Sequence, residues 1–226
     1  EIFMKDIGIP NANLHIANGV FDTSRLTIYH PYIKMWRYHF TPEQHEEHFK
    51  IRVSHLTKLI SVNPRGSLIV GTHAELKTLY PLLITQFPNH NVLLYNDNEN
   101  LVKNMKNETI DWSKIIILGS EKMYIGLNLP GCIGLVAILR SLNEPPKQVD
   151  KKYSEIIGLH NDVKYNERIQ HIRLMKQMQA IGRIMRCHTD YGVVAFLSHH
   201  PDDVTYVKHY YKDAIFVKEL KRWPVG

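Results

Sequence analysis

The stretch GSLIVGTHAELKTLYPLLITQFPNHNVLLY, Gly66–Tyr95, decides how the chain is read. It opens with an apolar run, Ser67–Thr72, passes into a segment with helical spacing of leucines from Ala74 to about Phe87, and returns to an apolar run at Asn91–Tyr95. A short β run, an amphipathic helix and a second short β run predict two parallel strands joined by a crossover helix. The runs are continuous in Leu, Ile and Val rather than alternating, which is the pattern of strands buried on both faces.

Downstream the same alternation continues. A polar helix is expected near Asn98–Lys106, followed by strands at Lys114–Ser120 and Gly134–Arg140. The polar stretch Ser141–Val163, with its Pro-Pro pair and lysines around Glu144–Lys152, reads as a loop. A long basic helix is predicted from Tyr165 to about Cys187, then a strand at Gly192–Leu197, a helix at Asp202–Tyr211 and a last strand at Ala214–Leu220. Upstream, Thr41-Pro42-Glu43 supplies a cap residue, a proline at the first helical position and an early acid, so a helix should run from Pro42 to about Ser61. Val20–His30 suggests a strand after a turn, within a lead-in segment of about forty residues. The expected fold class is α/β, a doubly wound and mainly parallel sheet with helices on both faces.

Composition agrees with a folded chain. The 226 residues contain 28 Lys+Arg against 22 Asp+Glu, a formal charge of +6, with 44% hydrophobic and 22% charged residues. At about 100–200 residues per domain, this is one large domain or one with an appendage. No apolar run approaches the roughly 18 residues of a membrane-spanning helix, so a soluble globular protein is expected. Two cysteines, Cys132 and Cys187, supply neither a disulfide framework nor a four-cysteine iron–sulfur or zinc site. They suit a reducing compartment inside the cell: cytoplasm or nucleoid, nucleus, or virus factory. The net charge and fourteen histidines mildly favour an anionic partner. Because the chain begins Glu-Ile-Phe, it is expected to be a piece of a longer protein or a processed one.

Chemistry concentrates in QMQAIGRIMRCHTDYGVVAFLSHH, Gln177–His200. Within the predicted helix, Gln179, Arg183 and Arg186 are spaced to share one face, with Gly182 leaving room for a close neighbour. Two guanidiniums beside an amide form a cradle for a phosphate chain. The alternative is a basic face that covers the sheet with its aliphatic stems.

Gln179-x-x-Gly182-Arg183-x-x-Arg186, followed by Asp190-x-Gly192-Val193-Val194, resembles motif VI of superfamily 2 helicases, most of all those of the DinG/XPD (Rad3-related) group. The resemblance continues in order along the chain. Gly8–His30 is similar to the start of the second helicase domain in that group, GSLIVGTHAEL (Gly66–Leu76) to motif IV, GSEKMYIGLNLPG (Gly119–Gly131) to motif V, and VAILRSLNEPP (Val136–Pro146) to the strand that follows motif V.

This likeness implies a second, C-terminal RecA-like domain at residues 41–226, with residues 1–40 leading into it. It implies an ATP-dependent DNA helicase in which ATP and Mg²⁺ are held mainly by a first RecA-like domain outside this chain. Arg183 and Arg186 would be arginine fingers on the γ-phosphate and Gln179 a contact to that phosphate or its attacking water. Gly126, Asn128, Gly182 and Asp190 would line the nucleotide side. Thr72, His73, Ser120 and Lys122 match positions that touch the backbone of single-stranded or branched DNA. Any iron–sulfur cluster would belong to the other part of the protein.

The chain also departs from that pattern. Ile125-Gly126-Leu127-Asn128 stands where the group has Glu-Gly-x-Asp, which removes both carboxylates, and Ser198-His199-His200 replaces an Asp-x-Arg. None of the twelve glycines precedes a lysine and no Asp precedes a Glu, so a P-loop and an acidic Walker B pair are both absent. The segment alone is therefore expected to be inactive. A second function class stays open: a RecA-shaped module that binds nucleic acid or a partner without turnover.

Two other clusters carry weaker signals. HEEH at His45–His48, with His55 further on, lacks the H-E-x-x-H spacing of a zinc helix and reads as a histidine cluster, so no metal site is expected. Cys187-His188 with Asp190 has no nucleophile elbow around it.

Overall fold

The computed structural model describes residues 22–33, 39–94, 110–120, 129–140, 162–187, 189–199 and 201–224, and the side chains of 162–169, 171, 201 and 202 lie outside that description. The elements are β1 (Leu26–Tyr29), α1 (Pro42–Val62), β2 (Gly66–Val70), α2 (His73–Gln86), β3 (Asn91–Leu94), β4 (Ile115–Gly119), β5 (Ile133–Ile138), α3 (Asp162–Ile181), β6 (Gly192–Phe196), α4 (Pro201–Tyr210) and β7 (Ile215–Val217). The helix expected at Asn98–Lys106 and the loop at Glu144–Lys152 fall outside the described residues.

All seven strands are parallel, in the order β3-β4-β2-β5-β6-β1-β7. Alternate side chains of each strand enter two cores, as the two-residue strand period requires. On one face Leu68, Val70, Val136, Ile138, Val194 and Phe196 pack with Ala180 and Ile181 of α3 and Val207 of α4. On the other, Ile69, Leu135, Ala137, Val193 and Ala195 meet Leu56, Leu59 and Ile60 of α1 and Leu76, Leu79 and Leu83 of α2. This is the doubly wound sheet that the apolar runs predicted.

The starts of α1 and α2 are set by capping boxes. Thr41 and Gln44 exchange side-chain and backbone hydrogen bonds, as do Thr72 and Glu75. On the face that they cover, α3 is tied to α4 by an ion pair of 2.8 Å between the buried Arg173 and Asp203.

Three boundaries differ from expectation. Of the strand suggested within Val20–His30, the sheet takes only Leu26–Tyr29: β1 follows a short turn at Thr23–Arg25 and lies between β6 and β7 with all four residues buried. β7 keeps only three residues of Ala214–Leu220, because its single partner β1 has only four residues and ends at Tyr29. Most consequential is α3, which ends at Ile181 rather than Cys187. The Gly182 amide makes the last α-type bond, to Met178 O at 2.9 Å, and Arg183 and Ile184 then make tighter bonds to Ala180 O and Ile181 O at 3.0 and 3.1 Å. Gln179 therefore sits on the helix, whereas Arg183 and Arg186 belong to the turn after it. The shared helix face inferred from spacing does not exist.

Candidate functional site

In a parallel sheet every strand presents its amino end to one edge and its carboxyl end to the other, and the residues singled out divide between these edges. At the amino edge, the turn between α3 and β6 carries Arg183 and Arg186. Burial first, and the like charge of Arg186 second, push the Arg183 guanidinium below its ordinary value. An arginine keeps its charge regardless, so the turn holds two cations close enough to repel. The Nε of Arg186 is buried with no hydrogen-bond partner among the described residues. Gln179, one turn earlier on α3, is exposed.

The turn is held by Asp190, which is 1% exposed. Its Oδ2 accepts the backbone amides of Arg186 at 2.6 Å and Cys187 at 2.7 Å, which replaces the bonds that the ended helix no longer supplies. Its Oδ1 lies 3.8 Å from Arg65 Nη1. The Asp190 carboxylate faces inward and shapes the loop beneath the arginines. Gly182 does not provide a close approach. Among the described residues, a Cβ there would meet only Met178 O and Gln179 O of its own helix, at 3.4 and 3.6 Å.

Arg65, in the turn before β2, joins three loops at this edge. It donates to Gly131 O at 3.2 Å and to Tyr191 O, and its guanidinium stacks 4.0 Å from the Tyr191 ring centroid. Asn63 fixes it by donating to Arg65 O at 2.7 Å and accepting the Arg65 amide at 3.2 Å. Gly131, at φ +70°, turns the chain just before β5. The turn at Gly131 and the turn that carries Arg183 and Arg186 are thus clamped by one guanidinium. Sequence reading missed Arg65 because NPRG reads as an ordinary turn; the cue was an Asx residue two positions before an arginine. Gly126, Asn128 and Lys122 lie outside the described residues, as does His188.

The carboxyl edge brings together the expected nucleic-acid contacts Thr72, His73 and Ser120. They follow the neighbouring strands β2 and β4, which stay paired to the edge through Gly71 N donating to Gly119 O at 3.3 Å. His73 is exposed at the first position of α2. The Thr72 hydroxyl caps that helix and donates to Glu75 at 2.9 Å. Glu75 in turn binds Arg52 at 2.7 Å and Arg140 at 3.2 Å. Burial alone would raise the Glu75 carboxyl, but the two arginines and the hydrogen bonds from Arg52 and Thr72 outweigh it and hold it below its ordinary value. Sequence reading missed this triad, whose members are distant in the chain.

The histidines of HEEH are packed. His45 and His48 lie against the Phe40 ring at 5.6 and 5.8 Å, and the His55 Nδ1 is 2.5 Å from Tyr29 OH. Among the described residues no group of three His, Cys, Asp or Glu side chains is arranged to hold a metal, and no helix is long and apolar enough to cross a membrane.

Solved structures share this architecture. "XPD_APO" superposes with a TM-score of 0.65 at 16% identity, over 85% of this chain and 40% of its own. "XPD_Helicase" gives 0.60 at 16% identity, over 85% and 35%. S. cerevisiae Dbp5 bound to RNA and ADP BeF3 gives 0.53 at 16% identity, over 96% and 47%. The chain has the RecA-like fold of these helicases. It spans less than half the length of each. No family model matches the sequence, and no curated protein matches it.

Proposed function

We propose that this RecA-like domain is the second motor domain of a DinG/XPD-type DNA helicase, completing the ATPase site of a first RecA-like domain. The observation that carries this reading is the motif VI turn. Arg183 and Arg186 belong to one turn, near enough for their charges to repel, and Asp190 and Arg65 hold that turn. Two adjacent guanidiniums on a rigid support are stabilised by an anion, and the triphosphate at the domain interface supplies one. As the domains close, the guanidiniums would meet charge developing on the γ-phosphate, an effect worth about 10³–10⁵ in rate for arginine fingers. Gln179, exposed on the last turn of α3, would reach the phosphate or its attacking water.

ATP and its Mg²⁺ belong with the first domain. On the carboxyl edge, His73 and Ser120 would touch the backbone of a single strand, positioning it without reading sequence.

The test is DNA-stimulated ATPase of the longer protein that contains both domains, comparing wild type with Arg183→Ala and Arg186→Ala while measuring nucleotide binding in parallel. A loss of about a hundredfold or more in turnover with binding retained is expected. Equal rates in all three proteins would instead leave a RecA-shaped binding module.

A further inference from the structure

The part of the carboxyl edge formed by β6, β1 and β7 is untouched by the proposed function, although it gathers a cluster of cationic and aromatic side chains. His30 follows β1, His199 follows β6 and Lys218 follows β7, so three adjacent strands each deliver a basic residue to one place. The His30 and His199 rings meet edge-on at 6.0 Å, and His30 also meets Phe216 at 6.3 Å. Lys208, from α4, sits 5.9 Å from the Phe216 ring centroid. Burial, then the charges of His199, Lys218 and Lys208, hold His30 below its ordinary pKa, so these groups repel one another and would gain from an anion.

Tyr32 connects this cluster to a cavity. It is 85% exposed, and Lys218 Nζ both lies 3.9 Å from its ring centroid and donates to its hydroxyl. Tyr32 also walls a cavity of about 310 Å³ lined by Ile33, Phe40 and Ile51, with Gln44 and Glu47 among its polar residues. Gln44 Oε1 is engaged by the Thr41 amide, which directs its NH₂ group to other acceptors, and Glu47 is an exposed acceptor. An apolar aromatic slot that also presents hydrogen-bond donors and acceptors suits a flat heterocycle, and the neighbouring cations suit the phosphates on either side of it.

We propose that this edge is a single-strand nucleic-acid platform in which His30, Lys208 and Lys218 hold the phosphodiester backbone and one base enters the Tyr32–Phe40 cavity. Aromatic stacking beside a cationic track is the general solution for binding single strands without sequence preference. The site lies apart from the β2 and β4 ends, where Thr72, His73 and Ser120 stand. It rests on the helicase reading only for the class of ligand.

Fluorescence anisotropy with a labelled 12-nucleotide thymidine strand and an abasic strand of equal length tests it. Tyr32→Ala should weaken the thymidine strand about tenfold and leave the abasic strand within twofold. Lys208→Ala/Lys218→Ala should weaken both strands and reduce the slope of log affinity against log salt by about 1.4, at about 0.7 per phosphate contact. Wild-type affinity in Tyr32→Ala, an equal loss on both strands, displacement by an acidic peptide as effective as by unlabelled thymidine strand, or no binding by the wild type would each overturn the proposal. The ATPase comparison of Arg183→Ala and Arg186→Ala judges the helicase reading separately, since neither residue lies on this edge.

Discussion

The Asp190 carboxylate accepts the backbone amide of Arg186 at 2.6 Å, so a buried acid fixes the backbone from which a half-buried cation projects. The same oxygen takes the Cys187 amide at 2.7 Å, and the other oxygen faces Arg65 at 3.8 Å. Replacing Asp190 with Ala would leave two amides without their acceptor and Arg65 without its ion-pair partner. A cost of about 3 kcal/mol is expected, at about 1–3 kcal/mol for each abandoned buried donor. Urea unfolding would measure it; a loss below about 1 kcal/mol would mean that water replaces the carboxylate and the clamp is not what orders the turn.

Arg65 offers a test of the clamp that leaves Asp190 in place. Lysine keeps the charge but cannot donate to Gly131 O and Tyr191 O in a planar fork while stacking on the Tyr191 ring. Arg65→Lys should therefore destabilise the protein by about 1–2 kcal/mol. In the longer protein it should lower DNA-stimulated turnover with little change in nucleotide affinity. Unchanged turnover would show that the arginine turn keeps its geometry without the fork.

Much of this architecture was legible because strands buried on both faces must be apolar throughout, and LIV, IIIL and VVAF announce that without help from context. Likewise, Thr41-Pro42 and Thr72 announce helix starts, because capping is local chemistry. Long-range pairing was not legible. Nothing in LTIY says that it enters between two strands from the other end of the chain, and the Arg52–Glu75–Arg140 triad links residues far apart in sequence. The end of α3 was misread for a related reason. The helical spacing of Gln179, Arg183 and Arg186 persists in the letters, but the side chain of Asp190 takes over the amides that would have continued the helix. Asp190 itself was seen, although as a nucleotide-side residue rather than as the inward-facing support of the arginine turn.

The Glu75 triad predicts an asymmetry between single and double substitutions. Arg52 is 3% exposed, and its charge is matched by Glu75 at 2.7 Å. Glu75→Ala strands that charge and should cost about 3–5 kcal/mol. Arg52→Met/Glu75→Ala removes the stranded charge along with its partner and should be more stable than Glu75→Ala alone. If the double variant proves the less stable of the two, the bonds that Arg52 makes to His48 O and Leu139 O matter more than the charge pair.

Glycines give opposite expectations at the two ends of the motif VI region. A Cβ on Gly192 would stand 2.4 Å from Gly134 O, a backbone atom of the neighbouring strand. Gly192→Ala must push β5 and β6 apart and should cost about 1–3 kcal/mol. Gly182→Ala meets nothing nearer than 3.4 Å and should leave the melting temperature nearly unchanged. A large loss in Gly182→Ala would restore the idea that this glycine makes room for a neighbour.

Acid should weaken the fold before the carboxylates titrate. Burial, as the leading cause, lowers the pKa of His30, His55 and His90 from the ordinary 6.5, and nearby lysines push each further in the same direction. The unfolded chain therefore takes up these protons at a higher pH than the native one does. With more protons bound in the unfolded state, stability rises with pH across this range. It is fully present above about pH 6.5 and is lost as the pH falls towards the lowered native values. The three sites are partly exposed, so the effect is expected to be gradual. Urea midpoints between pH 7.5 and 5.5 should fall, and His30→Gln should flatten the trend by removing the histidine flanked by Lys208, Lys218 and His199. A midpoint independent of pH over that range would mean that the native structure admits these protons as readily as the unfolded chain.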